Sequence, residues 1–141
     1  MNIDHIGIAV KSIEQGIEHW RNIFGYHQAT EVVVNTRQKV KVAFMEKPGS
    51  LTVKLISPSD DSSQLHKFLA KGEGMHHLCF KCDDLDTQLG DLKAKGLRVV
   101  APPQPGEAFA NENIAFVFSR MGLNIEVIDT DKRAGRIPDS K

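Results

Sequence analysis

Histidines 5 and 77 each lead an apolar run, Asp4-His5-Ile6-Gly7-Ile8-Ala9-Val10 and His76-His77-Leu78-Cys79-Phe80-Lys81-Cys82. They stand 72 residues apart, and the same shift carries Leu51-Thr52-Val53-Lys54-Leu55-Ile56 onto Leu123-Asn124-Ile125-Glu126-Val127-Ile128. One shift that matches two separated segments marks an internal duplication. Two pairs of polar side chains are thereby related by one operation, His5 with His77 and Lys54 with Glu126. Imidazole nitrogens and a carboxylate are natural ligands for Zn, Fe, Co, Ni or Mn, and two histidines with one carboxylate leave positions open for water or substrate. His5, His77 and Glu126 are therefore candidate ligands of a divalent metal ion, in a catalytic rather than a structural arrangement.

The duplication is what singles these residues out. An isolated charge in an apolar strand is ordinarily the solvent side of an edge strand, and a lone histidine is ordinarily a satisfied core residue. His19, His27 and His66 have no partner in the repeat and read as core or surface residues. His76 points opposite to its neighbour along a strand and reads as a packing or hydrogen-bonding residue. Cys79 and Cys82 have the C-x-x-C spacing of a redox pair or half a zinc site. Residues three apart on a strand face opposite ways, so both read as structural thiols.

The elements that must position the four residues follow from periodicity. Residues 3–10 form a strand, and Ser12 caps a helix whose apolar face is Ile13, Ile17, Trp20, Ile23 and Phe24 and whose stop is Gly25. Strands follow at 27–35, 38–46 and 51–57. A connector spans 58–75, with a short helix at 64–71. The order then repeats: a strand at 76–82, a helix capped by Asp84 and closed at Gly96, a short strand at 97–100, a Pro-rich loop at 101–106, and strands at 112–118 and 123–129. A polar tail, 130–141, is expected to be loosely held or used against a second subunit. The fold class is thus α+β: one domain over residues 1–141, built of two tandem β-α-β-β-β modules (3–57 and 76–129) whose two mixed sheets enclose a cleft. Alternation in the first strand puts Ile6, Ile8 and Val10 on the helix side and leans His5 into that cleft, with His77 across a pseudo-twofold axis.

Composition narrows the partners. With 40% apolar and 26% charged residues the chain is ordinary globular protein, and its formal net charge of zero offers no basic face for nucleic acid or an anionic membrane. A small-molecule substrate is the expected partner. The N-terminus lacks a basic flank followed by an apolar core, and no apolar run reaches the length of a membrane span, so a cytoplasmic protein is expected.

Over residues 3–129 the sequence resembles the vicinal oxygen chelate superfamily, which includes glyoxalase I, methylmalonyl-CoA epimerase, extradiol dioxygenases and bleomycin-resistance proteins. Within it the chain is most similar to the methylmalonyl-CoA epimerases, through residues 4–10, Lys39-Val40-Lys41-Val42-Ala43-Phe44, Lys67-Phe68-Leu69, Gly72-Glu73-Gly74-Met75-His76-His77 and Asn124-Ile125-Glu126. The resemblance implies four metal-bearing strand positions, which fall on His5, residue 54, His77 and Glu126. At residue 54, where the family offers Glu or Gln, this chain has Lys54, and an ammonium cannot ligate. Three arrangements remain: a metal held by His5, His77 and Glu126; Lys54 replacing the metal's charge and pairing with Glu126; or Lys54 at the cleft mouth holding an anionic substrate.

The implied chemistry is proton removal beside a carbonyl, with a metal polarising the oxygen and carboxylates moving the proton. Glu126 and Lys54 are the candidate catalytic residues. No second base falls on a matched position, where Val42 stands. The expected function is a metal-dependent epimerase, isomerase or lyase acting on a small carbonyl or acyl-thioester compound. A metal-free binding protein of the bleomycin-resistance kind is the alternative, and a non-haem iron dioxygenase the third. Related folds commonly pair, so a homodimer is expected.

Overall fold

A computed structural model describes residues 1–138. Their elements run β1 (Asn2–Ala9), α1 (Ile13–Phe24), β2 (His27–Gln28), β3 (Val33–Asn35), β4 (Val40–Glu46), β5 (Thr52–Pro58), α2 (Leu65–Leu69), β6 (Gly74–Lys81), α3 (Leu85–Ala94), β7 (Arg98–Gly106), β8 (Glu112–Ser119) and β9 (Leu123–Ile128). Both long helices start as their sequences require: Ser12 Oγ accepts the Gln15 amide and Asp84 Oδ2 the Thr87 amide. Gly25, at φ 74°, closes α1 in the left-handed conformation that glycine adopts without penalty. No helix among the described residues is long and apolar enough to cross a membrane.

The duplication is visible in the strand pairing. β1 runs parallel to β5 as β6 runs parallel to β9, and β4 and β8 are the antiparallel neighbours of β5 and β9. β1 and β6 pair antiparallel, so the two mixed sheets are halves of one sheet in the order β2-β4-β5-β1-β6-β9-β8-β7, with β3 also on β4. α1 packs on the outer face of the first half through Ile13 and Ile17 against Ala43, Met45, Val53 and Leu55. α3 does the same on the second half through Leu85, Leu89 and Leu92 against Ala115, Val117, Ile125 and Val127. The inner faces share a third cluster that draws Val42, Phe44 and Ile56 from one half and Cys79, Ile114 and Ile128 from the other, with Phe109 between them.

Three expectations are corrected. The stretch expected as one strand at 27–35 is two short ones, because Thr30 leaves the ladder to hydrogen-bond the Phe44 amide through its side chain and to bridge to Arg136. The Pro-rich stretch at 101–106 is strand rather than loop. β7 is the sheet's terminal strand, where a missing N–H is tolerated, and a register shift between Ala101 and Gln104 absorbs Pro102 and Pro103. The tail folds back as far as it is described. Gly135 O accepts the Glu31 amide, the Ile137 amide donates to Ala29 O, and Arg133 is pinned on Asp4. Residues 139–141 of the expected tail lie outside the described residues.

The two cysteines diverge as strand parity requires, Cys79 into the inner cluster and Cys82 into the cluster under α3.

Candidate active site

The four strands at the centre of the sheet, β5, β1, β6 and β9, are consecutive neighbours, and each turns one polar residue inward. Val53 and Leu55 belong to the cluster under α1, which forces Lys54 to the inner face; Ile125 and Val127 do the same for Glu126 under α3. Because β5 and β9 are interior strands, neither charge is the solvent side of an edge. The structure thus brings all four repeat-related residues together. Lys54 Nζ donates to Glu126 Oε2 at 2.9 Å, His5 Nε2 lies 2.9 Å from Glu126 Oε1, and His77 Nε2 lies 3.3 Å from the same oxygen. All are buried, with Glu126 and His5 at 0% exposure, Lys54 at 2% and His77 at 3%. His19, His27 and His66 take no part.

Two residues that sequence reasoning placed elsewhere complete the site, for one reason. The β1–β6 register slips twice. Asp4 is passed over between Ile3↔Phe80 and His5↔Cys79, and His76 between Gly7↔His77 and Ile8↔Met75. A bulge puts two residues opposite one and re-aims a side chain. Asp4 and His76, which simple alternation sends away, thereby reach the histidine that follows each: Asp4 Oδ2 lies 2.7 Å from His5 Nδ1, and His76 Nδ1 lies 2.9 Å from His77 Nδ1. The bulges are themselves 72 residues apart, so applying the repeat to positions 4 and 76 is the signal that finds them. Arg133 Nη2 holds Asp4 from behind at 2.5 Å while its guanidinium lies over the Phe44 and Phe109 rings. Gly7 makes room: a Cβ there would meet His77 Cε1 at 2.1 Å.

Burial pushes the Glu126 carboxyl up, but the charge of Lys54 and the contacts of His5 and His77 outweigh it and hold Glu126 well below the usual range. Burial drives His77 down to about 4, with Glu126 opposing, and lowers His76 with help from Lys54. Asp4 is raised by burial and lowered more by its bond to His5 and the charge of Arg133. Cys79 beneath the cluster is raised well above its ordinary value by burial and by Glu126, which keeps it an inert thiol.

A cavity of about 530 Å³ opens onto the cluster. Lys54, His76 and His77 line it beside an apolar wall that includes Ile56, Leu65, Ile114 and Phe116, and solvent-exposed Arg37 lines it too. Glu126 lies beneath this surface and reaches the cavity only through its partners.

Three of the four positions carry donors of a kind that divalent ions take, but with a lysine at the fourth the set as a whole does not fit such an ion. His5 Nε2, His77 Nε2 and Glu126 Oε1 converge within 4.8 Å, and both histidines are turned by a bond at Nδ1, as metal-bound histidines are. His77 Nε2 is a buried nitrogen without a hydrogen-bond partner among the described residues, its approach to Glu126 falling short of hydrogen-bond geometry. Both His5 nitrogens face carboxylate oxygens, which suits an imidazolium or an ion at Nε2. The fourth position holds the Lys54 ammonium, which neutralises Glu126 but cannot ligate.

Comparison with known proteins agrees with the fold. The profile of the glyoxalase/bleomycin resistance protein/dioxygenase superfamily matches residues 4–118. The uncharacterized protein YqjC of Bacillus subtilis is 37% identical over 122 residues, covering 84% of this chain and 83% of its own. Human mitochondrial methylmalonyl-CoA epimerase is 33% identical over 98 residues, covering 68% of this chain, which spans about half (54%) of that relative. Among solved structures, methylmalonyl-CoA epimerase from Mycobacterium tuberculosis superposes with a TM-score of 0.81 at 31% identity, covering 92% of this chain and 88% of its own. A methylmalonyl-CoA epimerase in complex with methylmalonyl-CoA and ammonium gives 0.80 at 29%, covering 94% and 96%.

Two outcomes follow from the packing of His77. Gly7→Ala drives a methyl into the imidazole and is expected to cost about 1–3 kcal/mol in urea unfolding; an unchanged midpoint contradicts the close approach. Because His77 titrates near 4 in the fold against 6.5 free, the unfolded chain binds the proton first as pH falls. Stability tied to His77 is therefore complete above pH 6.5 and is lost towards pH 4, by about 3 kcal/mol at most. Urea titrations of the wild type and His77→Gln at pH 7 and pH 5 check this: the wild type loses more on acidification, whereas equal losses contradict it.

Proposed function

Because the chain belongs to the glyoxalase/bleomycin resistance protein/dioxygenase superfamily, we propose that it is an epimerase-type enzyme that removes and returns the proton beside the carbonyl of a small acyl thioester. The observation that carries the reading is that one cavity presents a cation, Lys54, and a neutral histidine pair, His76 and His77, side by side. Enolate formation needs both: a positive group where negative charge develops on oxygen, and a base at the carbon. Epimerases acting on methylmalonyl-CoA among its relatives and structural neighbours support the same substrate class.

The proton inventory assigns the base. The 3.3 Å approach of His77 Nε2 to Glu126 falls short of hydrogen-bond geometry, but a lone pair there would face a carboxylate that can only accept, so we assign the hydrogen of neutral His77 to Nε2. Neutral His77 then accepts at Nδ1 from His76 Nδ1–H, which leaves the His76 Nε2 lone pair as the free basic atom of the pair. His76 Nε2 takes the α proton, Glu126 steadies the charge that spreads along the pair, and epimerization is completed when the planar enolate turns its opposite face to His76 and the same Nε2–H returns the proton to carbon. His5, held between Asp4 and Glu126, fixes the carboxylate. The apolar wall suits the acyl part of the substrate, and Arg37 suits an anionic group on it.

In deuterium oxide, a series of 2-substituted acyl-CoA thioesters beginning with methylmalonyl-CoA is expected to exchange the α proton, followed by ¹H NMR. His76→Gln should slow exchange by about 10²- to 10⁴-fold with little change in KM. No exchange with any thioester in the series would overturn the reading.

A further inference from the structure

The superfamily's implied cation is a metal; this chain carries one of its own. We propose that the Lys54 ammonium takes the place of the divalent ion as the permanent cation of the site, binding the substrate oxygen and stabilising the enolate. The proposal rests on the enolate-forming reading above.

Position is the first argument. Lys54 faces Gly7 on β1 and Phe44 on β4 in the sheet register, at the point that the 72-residue repeat maps onto Glu126. Opposite charges thus meet across the pseudo-twofold axis, 2.9 Å apart. A lysine of this length grafted onto a ligand strand would ordinarily swing to solvent. This one is 2% exposed, over the face of the Phe109 ring at 5.0 Å, so it is held inside.

Donor count is the second. An ammonium has three N–H groups, and the bond to Glu126 Oε2 is the one hydrogen bond it makes among the described residues. Lys54 also lines the cavity, so the remaining donors are available to a carbonyl oxygen there. In a buried site such a donor is worth more to a developing oxyanion than it is in water.

Charge is the third. The one carboxylate in the three-donor set is already paired, so a dication entering beside the ammonium meets repulsion with no second anion among its ligands. Asp4, the next carboxylate, is engaged by Arg133 and His5. The same carboxylate that would anchor a metal is used to anchor the lysine.

The test is made on the full chain, purified without added metal and then dialysed against Zn, Co, Ni or Mn at micromolar levels. The wild type is expected to retain less than about one-tenth of an equivalent of any of them by elemental analysis. Its α-proton exchange should be unchanged by a chelator. Lys54→Gln, which offers a fourth oxygen donor, should bind cobalt at least about 100-fold more tightly than the wild type, read by calorimetry and by the cobalt absorption bands. Its exchange should become dependent on the added ion. One equivalent of metal on the wild type at these levels, or loss of exchange on chelation, overturns the proposal. If Lys54→Gln does not fold, the wild-type uptake and chelator results decide alone. Absence of exchange in every condition overturns the enolate reading instead, while metal uptake still decides whether Lys54 fills the cation's place.

Discussion

A carboxylate with no exposed surface lies at the middle of this protein, and the rest of the structure is arranged so that it can stay ionised there. Leaving Glu126 unpaired in an apolar interior would cost several kcal/mol, on the order of the whole stability of a small protein. Its partners come from three other strands: Lys54 on β5, His5 on β1 and His77 on β6. Those strands with β9 form the centre of the sheet, and the pairing of β1 with β6 is the seam between the two modules. The cluster therefore joins the halves as well as forming the site. The inner core that surrounds it, with Phe44 and Phe109 against the His5 ring, shields the charges and strengthens their attraction.

Duplication explains how four such residues came to converge, and divergence explains what they can do. Both copies retain a histidine, and both retain the bulge that lets the preceding residue reach its Nδ1. Across that common frame the chemistry differs: Asp4 is backed by Arg133 and half-buried beside the tail, whereas His76 lines the open cavity. One half thus fixes the cluster and the other faces the cavity. The second repeat pair has become a cation and an anion, which turns a set of metal donors into a self-neutralised ion pair.

Much of this was legible in the sequence. The 72-residue shift carries the topology, since it matches β1 to β6 end to end, and it picks out His5, Lys54, His77 and Glu126 without any structure. Parity then sets which face Lys54 and Glu126 occupy once α1 and α3 claim their neighbours. What period-two reasoning misses is any position where the period breaks. The two bulges reverse the side of Asp4 and His76, so a strict alternation hides the orienting carboxylate and the cavity-lining histidine. Pro102, Pro103 and Pro105 read as loop because the rule against proline in sheets holds for interior strands, and sequence alone does not say that β7 is terminal. Arg133 lies in a polar stretch without periodicity, and only the fold-back of the tail reveals its partner.

The central claim is that Lys54 and Glu126 act as a pair. A double-mutant cycle with Lys54→Met and Glu126→Leu, read by urea unfolding at pH 7, measures it directly. Each single change strands a buried charge and is expected to cost about 3–5 kcal/mol, while the double change costs far less than the sum of the two. Additive losses would contradict the account, since they would mean that neither charge depends on the other.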